Sequence, residues 1–344
     1  MATVNSSNRV LSTTQDFLMP KVVDTVLNSN VFASRQLANA KAWRGEQMKF
    51  PIKTSKNSTG QSFQGYDTFS TSASDTRRRL VFDPKFYQIT VSLPLDEIAA
   101  NMGSNEEKVL DLMSIEVASA AQDMADDIGT LFYGDGTGNS SKDFLGLAAH
   151  VDDGNSVANI GGLARSTFTT LQSTVTASSG TLSLAKMATL WNDVTSGSQK
   201  PTAAYCPEAV WSYYEQLLEP KMRINKNVGL DKAGVRGGSG FTALDYKGMP
   251  VLSDEKATAQ TLFFVNENFL EWRALKMPMA EAINFASKDI DGNDYSNVKG
   301  LGFSWGGWIK PSNAAAIVGH IYLGGELVGT NPKRHGKLTG ITGV

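Results

Sequence analysis

The chain has 344 residues, long enough for one large hydrophobic core or two moderate ones. Its 32 basic and 34 acidic side chains leave a net charge of −2, which disfavours generic nucleic-acid binding across the whole surface. The single cysteine, Cys206, excludes an intrachain disulfide and a multi-thiol zinc site, and reads as a small core hydrophobe at a strand end.

The first residues, Met-Ala-Thr-Val-Asn, lack a basic region followed by an apolar run. The most apolar window, Ala314–Gly325, contains His320 and falls short of the ~20 residues that span a bilayer. A soluble protein made in a cytoplasm is expected. Residues 1–45 read as an arm with one short helix, Pro20 opening it and Val22, Val23, Val26 and Leu27 forming its apolar face. Alternation starts at Met48–Ile52 and resumes at Gln88–Leu93. Between them, residues 54–76 are dominated by Ser, Thr, Gly, Asn and Gln and hold too little apolar surface to pack alone. A lone two-stranded ribbon is marginal in water. Such a ribbon makes sense when another subunit supplies the surface it lies on, so the pattern already points to an assembly.

The best-specified element is a helix over Asn105–Phe132. Ser104 and Glu107 form a capping box, and Val109, Leu112, Met113, Val117, Ala120, Ala121, Met124, Ile128 and Leu131 recur at helical spacing. At ~1.5 Å per residue it extends roughly 40 Å, enough to cross a subunit. Gly134, Gly136 and Gly138 end it. Residues 151–295 read as mixed α/β. Ser183 caps a helix bearing Leu184, Met187, Trp191 and Val194, Thr202–Cys206 is a strand, and Pro207 opens a helix through Leu218. Leu230–Gly240 reads as a mobile loop, with Tyr246–Val251, Thr261–Val265 and Gly302–Leu327 as further strands. No internal repeat is visible.

The succession of polar hairpin, long helix, glycine-rich Tyr133–Gly138 turn and Phe144–Leu147 resembles the major capsid proteins of tailed bacteriophages, the Hong Kong 97-type fold. The resemblance implies an α+β chain with an N-terminal arm (1–45), an extended β-hairpin or E-loop (46–96), and a peripheral domain (97–150) carrying a spine helix (104–132). An axial domain (151–295), return strands (296–330) and a C-terminal tail (331–344) follow. It implies a structural protein and not an enzyme: a virion subunit that forms hexamers and pentamers and closes into an icosahedral shell around double-stranded DNA, without cofactor, metal or membrane. A near-neutral charge suits a container that must not hold its genome tightly. A separate scaffolding protein, a portal protein and a possible decoration protein follow as partners. Contacts between subunits are expected at Phe63, Tyr66 and Phe69 on the hairpin and at Arg77, Arg78 and Arg79, through a neighbour's carboxylates. The rival within the same fold is an encapsulin, a cellular compartment loaded with protein cargo.

Candidate chemistry is thin. Gly302-Phe-Ser-Trp-Gly306 is a formal G-x-S-x-G with Glu326 and His335 downstream, so a serine hydrolase using Ser304 is the rival from another class. Its sequence surroundings offer no helix after the serine. Gly134–Gly138 follows a helix instead of opening one and lacks Gly-Lys-Ser/Thr, so it is no phosphate cradle. Asp289–Asp294 fails the EF-hand pattern at Asp294 and Gly300. His150, His320 and His335 are too scattered for a metal motif, and His320 reads as a hydrogen-bonded strand residue. Some capsid proteins cross-link through a hairpin lysine; Lys49, Lys53 and Lys56 lie in that segment without one being singled out. Lys333, Arg334 and Lys337 form a small basic cluster.

Overall fold

The computed structural model describes residues 30–101, 112–218, 243–275, 281–282 and 303–344. The helix expected at Pro20, the capping box at Ser104, the Leu230–Gly240 loop and Asp289–Asp294 lie outside them. In chain order the main elements begin with α1 (Val31–Ala38), β1 (Lys41–Ala42), β2 (Met48–Lys53), β3 (Arg77–Phe82), β4 (Lys85–Pro94), α2 (Leu95–Asn101) and α3 (Leu112–Leu131). Then come β5 (Thr174–Thr176), α4 (Leu184–Val194), β6 (Ala203–Cys206), α5 (Glu208–Leu218), β7 (Ala243–Tyr246), β8 (Met249–Ser253) and β9 (Leu262–Val265). The last are β10 (Leu270–Leu275), β11 (Phe303–Ile309), β12 (Ala316–Gly329) and β13 (Gly336–Leu338).

The 14-residue β12 organises the first sheet. β4 runs antiparallel along one edge, from Lys85 opposite Gly325 to Pro94 opposite Ala316. Gly324 and Gly325 also pair with Leu275 and Ala274, so β10 lies on the other edge, end to end with β11. Alternation turns Tyr87, Ile89, Val91 and Leu93 of β4, with Ile321 and Leu323 of β12, toward one face. Ala120, Ala121, Met124 and Ile128 of α3 bring the helix into the same core. The 3.6-residue stripe read from the sequence is that contact. Glycines end the helix by close approach. A Cβ on Gly146 would meet the carbonyl oxygens of Leu131 and Gly134 at 2.6 Å, and the Leu147 amide bonds back to Phe132 O at 2.7 Å.

The second sheet has the order β7-β8-β6-β9-β13-β5. Every residue of β6 and β9 is buried. Ala203, Tyr205, Phe263 and Val265 face the first core. Ala204, Cys206, Leu262 and Phe264 face a second core filled from α4 and α5 by Met187, Leu190, Trp191, Val194, Val210 and Tyr214. A strand covered on both faces needs such a continuous apolar run. Ser183 caps α4 as expected, its hydroxyl accepting from the Lys186 amide at 3.3 Å. Cys206 ends β6 fully buried, and burial pushes its thiol up. Tyr246–Val251 is no single strand: Lys247 (φ 51°) and Gly248 (φ 82°) make a two-residue hairpin turn between β7 and β8.

Two further findings differ from the sequence expectations. From Val31 onward the segment expected to be an arm is core: Val31, Phe32, Ala33 and Leu37 are buried, and the Phe32 ring lies 5.0 Å from Tyr205 and 5.5 Å from Tyr133. The buried Asp254 carboxylate accepts from the Phe32 amide at 2.8 Å and the Tyr133 hydroxyl at 3.0 Å, and Arg35 forms a two-pronged pair with Glu267. The second strand of the ribbon is β3 and not Gln88–Leu93, which belongs to β4 in the main sheet.

Candidate assembly surface

β2 and β3 pair from Met48 opposite Phe82 to Lys53 opposite Arg77. Met48, Phe50 and Ile52 with Leu80 and Phe82 face inward onto Trp43, Ile160 and Leu171. Arg165 holds that platform: fully buried, it donates to Leu171 O (3.1 Å), Val157 O (2.9 Å) and Ala149 O (2.6 Å), with Asp152 at 3.5 Å. The Val81 amide bonds Gly161 O at 3.0 Å, and a Cβ on Gly161 would come within 2.7 Å of the Leu80 side chain. The ribbon's base is therefore part of its own subunit.

Its far end is not. Among residues 54–76, Phe63 and Phe69 are 66% and 60% exposed, and Tyr66 is fully exposed. Phe63 and Phe69 meet edge to face at 5.1 Å. Three exposed aromatics on a tip with no core of its own form an apolar group in water that a second surface could cover. Phe86 (51%) and Ile309 (55%) add exposed apolar area on β4 and β11.

The arginine triplet divides. In β3, Arg77 and Arg79 are exposed, whereas Arg78 turns inward, its guanidinium 5.6 Å above the Phe168 ring and paired with Asp75 of the same chain. Arg78 is thus engaged within its own subunit. Lys49, Lys53 and Lys56 are exposed. Of the C-terminal cluster, Arg334 donates to Val194 O at 3.1 Å and Lys337 lies 3.5 Å from Asp152, leaving Lys333 as its exposed member.

Beyond the ribbon, the start of β4 is held at a buried carboxyl that the sequence offers only as part of a hydrolase decoy. Glu326 of β12 accepts from the amides of Leu145 (2.7 Å) and Leu327 (3.0 Å), with the Lys85 ammonium at 3.6 Å. Lys85 also donates to Asp143 O. Burial, the largest influence, pushes Glu326 up to about 7 against the pull of Lys85. The first residue of β4, the turn after α3 and the end of β12 are joined there.

The hydrolase constellation does not assemble. Ser304 sits inside β11, paired with Tyr322 on one side and Ala282 on the other, and the strand continues to Ile309 without a helix. Glu326 is four residues beyond Tyr322 on β12, about 13 Å along the strand at ~3.3 Å per residue. His335 is buried elsewhere, taking the Asn266 amide at 3.2 Å. His150 is buried against Leu327 O at 2.9 Å, and His320 bonds the Thr90 hydroxyl at 3.0 Å. Among the described residues no group of three His, Cys, Asp or Glu could hold a metal.

A long helix laid on a long-stranded sheet, a projecting ribbon and a second sheet covered by helices together make the Hong Kong 97-type capsid fold. The chain superimposes over nearly its whole length on solved shell subunits. The cyanophage A-1(L) capsid matches with a TM-score of 0.71 at 12% identity, covering 98% of this chain and 100% of that one. The holo-SrpI encapsulin of Synechococcus elongatus gives 0.59 at 10% identity, covering 98% and 96%. The capsid of an empty GTA particle gives 0.58 at 10% identity, covering 95% and 96%. No family model matches the sequence, and no curated protein does. Fold, not sequence, carries the likeness.

Proposed function

We propose that the chain is the major capsid protein of a tailed double-stranded DNA bacteriophage, assembling as hexamers and pentamers into an icosahedral shell around the genome. The observation that carries this reading is the end-to-end match with the cyanophage capsid subunit, ribbon included, so that neither chain has a large unmatched domain. The exposed Phe63, Tyr66 and Phe69 support it independently, because they form an apolar surface suited to being covered by another molecule. In this reading residues 46–82 are the E-loop, α3 is the spine helix, the first sheet with α3 is the peripheral domain, and the second sheet with α4 and α5 is the axial domain. Contacts between subunits run through the three tip aromatics and through Arg77 and Arg79, with Arg78 kept for its own subunit. The protein acts by shape and not by catalysis. It is made in the host cytoplasm, ends in the virion, and works with separate scaffolding and portal proteins.

The encapsulin match favours a second reading, a protein compartment filled with cargo, at a lower score. Both readings require a shell. The test is to replace residues 56–74 with a tight turn and compare particle formation with the full chain. The shell reading expects a folded, monodisperse subunit that makes no stable shells. Particle contents then separate the two readings, DNA for the first and protein for the second.

A further inference from the structure

Two buried histidines lie where the two sheets join. His150 ends the one-turn helix Leu147–His150 that follows α3, and His335 immediately precedes β13 of the second sheet. Both side chains are fully buried. Ser173 and Thr174, consecutive residues at the start of β5, bring them together: the Ser173 hydroxyl donates to His150 O at 3.2 Å, and the Thr174 amide donates to His335 O at 3.4 Å. The His150 ring packs on the end of β12, where a Cβ on Gly329 would come within 2.5 Å of its Nδ1.

Hydrogen bonds assign the proton on each ring. His150 Nε2 lies 2.9 Å from the Leu327 carbonyl oxygen, which can only accept, so Nε2 bears the hydrogen and Nδ1 keeps a lone pair. His335 Nδ1 takes the Asn266 amide at 3.2 Å, so its Nδ1 keeps the lone pair and its Nε2 bears the hydrogen. The two nitrogens left over, His150 Nδ1 and His335 Nε2, are buried and have no hydrogen-bond partner among the described residues. One is an acceptor and the other a donor, and each is what the other lacks. A metal ion does not suit the pair, because His335 Nε2 would have to give up its proton.

The surrounding charges do not favour an imidazolium. Arg165, which donates to His150 O at 3.3 Å, and Lys85 both act against protonation of His150. Asp152 is engaged by Arg165 and Lys337, each at 3.5 Å, and Glu326 by Lys85 and the Leu145 and Leu327 amides. Beside His335, Arg334 donates to Val194 O, and Glu267 is held by Arg35 and the Tyr205 hydroxyl. Burial is the largest influence on both rings. It pushes His150 down to about 4 and His335 down to about 3, the latter aided by His150 itself.

We propose that His150 and His335 form a neutral pair, His335 Nε2–H serving the His150 Nδ1 lone pair directly or across one enclosed water, as an acid-released latch between the two sheets. At neutral pH it ties the turn after α3 and the end of β12 to the second sheet. A proton on His150 Nδ1 sets two donors against each other, and a proton on His335 Nδ1 removes the acceptor of the Asn266 amide. The latch lies inside one subunit and stands whether or not that subunit builds a shell.

Histidine-selective 15N labelling of the full chain tests it. The chain has three histidines, and the half-buried His320 is the reference. At pH 7 both latch rings should be in the neutral Nε2–H form, with the His335 Nε2 proton exchanging about 100-fold more slowly than that of His320. Scalar coupling between the two nitrogens marks the direct bond, and a cross-peak to a long-lived water marks the bridged one. His150→Phe should abolish the protection, and His150→Gln, whose side-chain carbonyl can accept, should restore most of it. Acid unfolding needs only glutamine variants and serves where His150→Phe does not fold. Below the ordinary 6.5, the unfolded chain binds a proton on each histidine that the folded subunit refuses. From about pH 5.5 to about 4.5 the parent's unfolding constant should therefore climb about tenfold more than that of His150→Gln or His335→Gln, and about 100-fold more than that of the double variant. An Nδ1–H or charged His335 at pH 7, an Nε2 proton exchanging as fast as that of His320, or the lack of both coupling and water cross-peak overturns the latch. Equal pH slopes in the parent and the double variant overturn it as well.

Discussion

Asp254 is the place where the fold's long-range connections can be tested with one substitution. Its carboxylate is 1% exposed and accepts from Phe32 N at 2.8 Å, Tyr133 Oη at 3.0 Å and Lys256 N at 3.0 Å. It therefore joins the start of α1, the end of α3 and the chain leaving β8. Asp254→Ala leaves the Phe32 amide and the Tyr133 hydroxyl buried without an acceptor, at about 1–3 kcal/mol each. Part of that loss is offset, because burial pushes the Asp254 carboxyl up and its charged form is already penalised. A net destabilisation of about 2–4 kcal/mol follows. Both buried donors share the same carboxylate oxygen, Oδ2, so Asp254→Asn with its carbonyl oxygen at that position should lose markedly less. Urea unfolding of the unassembled subunit measures both variants, with an unchanged slope expected. An Asp254→Ala protein within about 0.5 kcal/mol of the parent would refute the idea that this carboxylate ties α1 into the core.

Met124 is fully buried between α3 and the main sheet, so Met124→Asp should abolish cooperative folding or cost at least several kcal/mol, and a soluble variant with parental melting would remove the packing assignment. Acid should weaken the subunit through His150. Burial depresses it to about 4 from 6.5, so its folded form stays neutral while the unfolded chain takes up a proton below pH 6.5. Stability from this group is fully present above 6.5 and falls as pH drops toward 4, by about 3 kcal/mol at ~1.4 kcal/mol per unit. Glu326 has the opposite sign, its stabilisation present below 4.5 and lost as pH rises through about 7. Melting curves across pH 4–7 for His150→Gln against the parent isolate the first effect, and an identical pH slope in the two would contradict it. Limited proteolysis should cut residues 54–76 first in free subunits and spare them in assembled particles, while equal protection in both states would assign the tip to its own subunit.

The legible parts of the sequence were those whose signals are local. The 3.6-residue stripe through Ala120, Met124 and Ile128, the Ser183 cap and the helix opened by Pro207 are each decided within a few residues. β3 was hidden because Arg-Arg-Arg masks period-two alternation. Only the fold shows that Arg77 and Arg79 point outward while Arg78 stacks on Phe168. Gln88–Leu93 imitated the ribbon's return because a strand packed on one side carries the same alternation wherever it pairs. The burial of α1 was unreadable for a different reason: its partners Asp254 and Glu267 are more than two hundred residues away. Of the tip, the sequence revealed the three aromatics and the lack of a core around them; on the ribbon's base, the shared outward face of Lys49, Lys53, Arg77 and Arg79 needed the register of β2 against β3.

The central claim is that this subunit covers its tip only by building a shell. Cryo-electron microscopy of the purified full chain under assembly conditions tests it most directly. Closed particles of hexamers and pentamers are expected, in which each ribbon tip, with Phe63, Tyr66 and Phe69, lies on the adjacent subunit. Monodisperse single subunits at every concentration, or particles in which each tip folds back on its own subunit, would contradict it.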